Sequence, residues 1–220
     1  MLRSCSFLIL LLGLLAFSVG AQDLDPQDDV QSWNDLQLTV PLSTQFDFTT
    51  TVTIRFGRDV SRFSDGRYQI GFVWKPNKAI SIQPFYWYVR TRNSNGQFRT
   101  EHWFTLRGTY RFPVKGFGLS HRSTVEYRIR RPRSGLRYRP AITIEKDLLK
   151  SLLPGSKIYF TEEPFYDFIA NKFTRNRMTL GVSKTINKNL SLDLFYMRQN
   201  DGAARPGDLH VIGTAWRVKL

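Results

Sequence analysis

From Phe46 to the last residue, apolar and polar side chains alternate, and no stretch with the period of a helix interrupts them. A side-chain period of two belongs to β-strands, whose successive residues point to opposite faces. FDFTTTVTIRF sets Phe46, Phe48, Val52, Ile54 and Phe56 on one face and Asp47, Thr49, Thr51, Thr53 and Arg55 on the other. YQIGFVW, FTLRGTYRF, VEYRI, LRYRPAITIE, RMTLGVS and LSLDLFY repeat the pattern. Ala79–Arg92 and Lys157–Phe165 carry it less cleanly, and a final segment places Ile212, Trp216, Val218 and Leu220 on one face. These are ten strand signals at hairpin spacing, and WNDLQLTV before them is an eleventh. The chain reads as all-β.

The N-terminus is of a different kind. Arg3 precedes the apolar run FLILLLGLLAF, followed by SVGA with small residues at Val19 and Ala21. That is the basic, apolar and small-residue order of a secretory signal peptide, expected over residues 1–21. The run is too short to cross a membrane as a helix. Cys5 is the single cysteine and falls inside this segment, so cleavage after Ala21 leaves neither a disulfide nor a thiolate metal ligand. Polar, acidic QDLDPQDDVQ then reads as a flexible leader over 22–32, ahead of one domain over 33–220. The formal charge of +14 falls to +13 when Arg3 leaves.

Alternating strands fit either a soluble sandwich or barrel with its oily face inward, or a transmembrane barrel with its oily face toward lipid. Strands of ten or more residues suit a tilted membrane crossing. Aromatics such as Phe46, Trp74, Tyr88, Phe112, Tyr127, Phe160, Tyr196 and Trp216 gather toward strand ends, as interfacial girdles do. Both features favour an antiparallel transmembrane β-barrel of about 10–12 strands in the outer membrane of a Gram-negative-type bacterium. The closing AWRVKL looks like the C-terminal strand signal that the outer-membrane assembly machinery reads. An even count, ten or twelve, is expected. WNDLQLTV then reads as a periplasmic segment, as part of a twelve-strand barrel, or as an eleventh strand closing in parallel.

Alternate connections differ in apparent length. KPNK, PVKG and NKN are short, whereas GRDVSRFSDG, RNSNGQ, DFIANKFT and NDGAARPG are longer, as periplasmic turns and external loops are. KDLLKSLLPGS breaks the rule and reads as a small periplasmic helix. Basic residue types sort with the ends: nine of ten lysines fall at the short-turn end, while arginines dominate the other.

VEYRIRRPRSGLRYR thus reads as a hairpin at the outer surface, its tyrosines and aliphatics toward lipid. Glu126, Arg128, Arg137 and Arg139 share the lumen face, and with Arg107, Glu163 and Arg177 they are expected to form a charge ladder. Arg58, Arg92, Arg131 and Arg133 sit in or near the external loops, where the planar guanidinium fork suits lipid phosphate. Expected partners are outer-membrane lipid and lipopolysaccharide, and not nucleic acid, which would require the oily strand faces to be packed in a soluble core. With VEYRIRRPRSGLRYR, the stretches EEPFYD, RNRMTLGV and LDLFYMRQN resemble the bacterial outer-membrane-barrel family filed as domain of unknown function 2490. That resemblance implies a barrel and no assigned activity.

Catalysis has thin support. His121 and Ser123 share a strand face, but that face is the lipid-facing one, and no third residue of the strand orients the imidazole. His102 and His210 are interfacial by the same parity, and scattered histidines without cysteine argue against a metal. No cofactor or metal is expected. The reading is a structural barrel or a narrow, anion-favouring pore with a lumen largely filled by side chains. The alternative is an outer-membrane enzyme acting on lipid or lipopolysaccharide.

Overall fold

The computed structural model of the protein describes residues 28–93, 96–148, 153–204 and 206–220. The expected signal peptide and residues 22–27 of the expected leader lie outside the described residues. The described chain forms eleven strands closed into one barrel: β1 (Asp28–Pro41), β2 (Phe46–Gly57), β3 (Arg62–Trp74), β4 (Ile80–Arg92), β5 (Phe98–Phe112), β6 (Gly118–Ile129), β7 (Gly135–Asp147), β8 (Ser156–Asp167), β9 (Lys172–Thr185), β10 (Leu190–Asp201) and β11 (Asp208–Lys219).

Two expectations change. Residues 28–32, read as leader, belong to β1. The strand count is odd rather than even. Consecutive strands are antiparallel, so an odd number brings the first and last together pointing the same way. The ring accordingly closes on a parallel seam from Asp28↔Asp208 to Thr39↔Lys219. WNDLQLTV lies inside β1, the third of its three possible placements.

The faces follow the alternation. Val52, Ile54, Phe104, Leu106, Ile142 and Leu194 are exposed on the outside, whereas Thr49, Thr51, Thr53, Thr124 and Glu126 are buried within. The outward aromatics pair along the wall, as in the stacked rings of Phe46 and Trp74. An apolar exterior around a polar interior is the arrangement of a barrel bathed in lipid.

Proline and glycine mark the local irregularities. Pairing of β7 with β8 lapses between Tyr138 and Ile142, in the stretch holding Pro140 and Pro164, which have no N–H to donate. At Pro84 the β3–β4 ladder also lapses, and Gly71 lets the two backbones meet. A Cβ on Gly71 would stand 2.4 Å from that of Phe85.

The two ends differ less in loop length than the sequence implied. The connections after β2 and β6 span only 58–61 and 130–134, and those after β3 and β9 span 75–79 and 186–189. Backbone ladders pair polar and apolar residues alike, so the strands run on through segments that read as loops. Phe56↔Phe63 pairs across a bulge inside GRDVSRFSDG. Of KDLLKSLLPGS, read as a small periplasmic helix, Lys146 and Asp147 end β7, Ser156 begins β8, and Leu148 and residues 153–155 are not helical, while residues 149–152 lie outside the described residues. The chemical sorting does hold. Connections after β2, β4, β6, β8 and β10 form an arginine mouth. Among the described residues, the opposite mouth carries the lysines other than Lys172.

Candidate functional site

Inside the barrel, one group of charges is closely matched. Glu126 on β6 is fully buried and faces Arg137 across the β6–β7 ladder. Arg137 donates to Glu126 Oε2 from Nε at 2.8 Å and from Nη2 at 2.5 Å. Arg139 donates to the other oxygen of Glu126. It also reaches both oxygens of Glu163 at 2.9 Å, and Arg122 joins Glu163 at 2.7 Å. Arg128 binds Asp167 at 2.6 Å. The alternation that turns Glu126 and Arg137 inward also sets Glu163 and Asp167 inward on β8, around Phe165. Charges this deep need partners, and forked, charge-assisted pairs supply them.

Phe165, only 1% exposed, carries much of the remaining contact. The guanidiniums of Arg137, Arg139, Arg175 and Arg177 stand 4.5–5.4 Å from its ring centre. Trp103 receives Arg67 at 5.0 Å and Arg137 at 5.1 Å, and its indole N–H donates to Glu101 at 2.7 Å. Cation–π contact offsets part of the cost of removing arginine from water.

Toward the arginine mouth the interior opens into a vestibule of about 440 Å³. Arg55, Arg67, Arg175 and Arg177 line it from the strands, and Arg58, Arg62 and Arg92 line it from the rim. Among the described residues, Asp29 and Asp65 are the carboxylates in the lining. Asp65 is held by Arg67 at 2.6 Å, and Arg175 is held by the buried Asp201 of β10. Arg55 and Arg177 have no carboxylate partner among the described residues. Arg55 lies 3.4 Å over Trp33, its direct cross-strand neighbour, and Arg177 approaches the same ring at 4.9 Å from β9. Arg177 Nε donates to Gln199 at 2.8 Å.

Trp33 is fixed from the mouth side, by the residues that precede it on β1. Its indole N–H donates to Gln31 at 2.8 Å, and Gln31 donates to Asp29 at 2.8 Å. Asp29 also accepts the backbone N–H groups of Arg58 and Asp59 at 3.2 and 3.0 Å. Arg58, Asp59 and Val60 all have positive φ, a conformation costly for side-chain-bearing residues and here held by that carboxylate. Asp167 and Asp201 repeat the device: each caps two backbone N–H groups of its own loop while binding an arginine.

Of the seven expected ladder residues, four meet and three stand apart. Glu126, Arg137, Arg139 and Glu163 meet in one network, but Arg128 turns to Asp167 rather than Glu126. Arg107 faces Gln83 at 3.4 Å and Phe85 at 4.8 Å, and Arg177 lies in the vestibule. Of the four loop arginines, Arg58 and Arg92 line the vestibule. Arg131 lies in a separate groove with Arg99 and His102, and Arg133 is exposed on the β6–β7 connection. Sequence reasoning missed Asp29, Gln31 and Trp33, although continuing the alternation back from Asp35 would have placed all three inward. It also missed the inward aromatics. Phe165 and Trp103 share parity with Glu163 and Glu101, and that parity was the available signal.

The histidines lie on the outer wall. His102 pairs with the Tyr86 hydroxyl at 2.5 Å and His210 with that of Tyr196 at 2.6 Å. His121 pairs with Ser123 at 2.9 Å, and the Ser123 hydroxyl is shared with Tyr138 at 3.0 Å. Each is a local pairing of polar groups on a face surrounded by apolar side chains.

A solved barrel shares this architecture. A NanC porin in a rhombohedral crystal form superposes with a TM-score of 0.50 at 10% identity, covering 83% of this chain and 93% of the porin. A KdgM porin gives 0.42 at 13%, covering 80% and 92%. The beta domain of the Bordetella autotransporter BrkA gives 0.42 at 10%, covering 79% and 81%. No curated protein matches the sequence. A family model does match, over residues 30–209, and the chain belongs to that family, described as Protein of unknown function (DUF2490).

Proposed function

We propose that the protein is an outer-membrane barrel whose arginine-rich interior is largely filled by side chains, and that it acts as a narrow, anion-favouring pore. The observation that carries this reading is the imbalance in the vestibule, seven arginines against two aspartates in its lining. Fixed charge of one sign in a confined passage admits counter-ions and repels co-ions. The exposed apolar wall supports a membrane setting. Below the vestibule, the Glu126–Arg139–Glu163 network and the ring of Phe165 narrow the passage, so conductance is small.

The barrel is read as non-catalytic. The serine hydroxyl paired with a histidine, that of Ser123, is shared between His121 and Tyr138 on the outer wall, away from the vestibule. Reconstitution into planar bilayers under a salt gradient tests the reading. Small currents with a reversal potential on the chloride side are expected. Absence of currents, or a cation-side potential, overturns it.

A further inference from the structure

We infer that the vestibule at the arginine mouth is a binding site for a small soluble polyanion carrying at least two carboxylate or phosphate groups. The inference rests on the same anion-favouring reading of this mouth and adds an occupant to it. A passage that merely repels cations needs positive charge but no fixed geometry. This mouth has both.

The geometry centres on Trp33. The hydrogen-bonded series Asp29–Gln31–Trp33 sets the indole, and two guanidiniums from opposite parts of the ring of strands rest on it. Arg177 gives its Nε to Gln199, which leaves its two terminal nitrogens for another acceptor. The Nε of Arg55 is buried with no hydrogen-bond partner among the described residues. Two forks held against one ring, without carboxylates, are prepared to receive oxyanions two-pronged rather than as a diffuse charge. Arg58 and Arg62 at the rim extend the positive field toward the opening. One monovalent ion would leave most of these donors unmatched, whereas a second anionic group on the same molecule reaches the second fork at little added entropic cost. The volume of about 440 Å³ falls within the range of small-molecule sites, and Phe63 and Leu209 add apolar lining. The occupant is a free solute and not a membrane lipid, because the site lies inside the closed ring of strands, where acyl chains would have to cross the wall.

The test uses the purified barrel in detergent, with citrate and pyrophosphate as probes and chloride at matched ionic strength as reference. Both probes should bind saturably by calorimetry and change tryptophan fluorescence. Trp33→Phe should remove most of the optical change while heat of binding persists. Arg55→Gln combined with Arg177→Gln should weaken binding tenfold or more. Lys188→Gln, at the other mouth, should leave it unchanged. If the double variant lacks the heat-modifiable band of a folded barrel, Arg62→Gln takes its place, with several-fold weakening expected. Binding no tighter than that of chloride, or binding untouched in a folded double variant, overturns the proposal. So does competition by vesicles of anionic phospholipid that displace citrate, which would assign the site to lipid headgroups. Anion-selective currents without citrate binding would remove the site and leave the pore reading. Saturable citrate binding without currents would do the reverse.

Discussion

The wall made by β6, β7 and β8 and the mouth surrounded by β1, β2, β3 and β9 are both rich in arginine, yet they treat its charge in opposite ways. On the first wall Arg122, Arg137 and Arg139 converge on Glu126 and Glu163, and Arg128 on Asp167. At the mouth, Arg55 and Arg177 rest on Trp33 with no carboxylate among the described residues to match them. A guanidinium locked to a carboxylate has few donors left for a solute, and its removal leaves a buried charge behind. A guanidinium on an aromatic face stays charged and keeps its N–H edge open. The first arrangement serves the integrity of the interior. The second keeps a field and a set of donors in reserve.

The comparison is most severely tested at Glu126. Glu126→Gln leaves Arg137 and Arg139 facing a neutral amide in a sealed interior, and breaking a buried pair of this kind costs about 3–5 kcal/mol. The temperature at which the folded band disappears in heat-modifiability gels should fall clearly. A fall no larger than that of a surface substitution would mean that the wall is not held by its charges.

Asp29→Ala comes next, since it removes one acceptor from Gln31 and from two backbone N–H groups. A loss of about 1–3 kcal/mol is expected, together with a changed near-ultraviolet tryptophan dichroism as Trp33 loses its tether. Unchanged dichroism would show that Trp33 is positioned without that series of bonds.

The third variant inverts the pattern. Arg55→Gln with Arg177→Gln should change stability by no more than about 1 kcal/mol, because no carboxylate is stranded. The same pair should move the bilayer reversal potential toward zero. Large destabilisation with intact selectivity would erase the distinction between wall and mouth.

Least affected should be Arg133→Gln on the exposed β6–β7 connection, within about 0.5 kcal/mol of the parent. Weakened association with lipopolysaccharide, greater at low salt, is the effect to measure there. Equal association at every salt concentration would remove Arg133 from lipid contact.

Much of this molecule is legible residue by residue. Phe46 to Phe56 announces a strand and assigns its inner and outer faces, and the same alternation within β6, β7 and β8 sends Glu126, Arg137 and Glu163 inward. The sorting of lysine and arginine to opposite mouths is equally plain in the linear chain. Such features are local: the pleat alternates every residue, and an apolar residue turned outward must meet lipid whatever the rest of the chain does.

The remainder was decided by closure. Neither the odd number of strands nor the parallel β1–β11 seam follows from alternation, because both depend on which edges find each other around the ring. The short connections likewise reflect ladders continuing past the apolar belt, which no single strand reveals. Partner choice inside is also non-local. Arg128 bypasses Glu126 for Asp167, and Arg177 reaches Trp33 across the interior from a strand far away in sequence. The sequence by itself determined what each strand is and which way it faces. Only the tertiary structure decided who meets whom across the barrel, since those distances exist only once the sheet has closed.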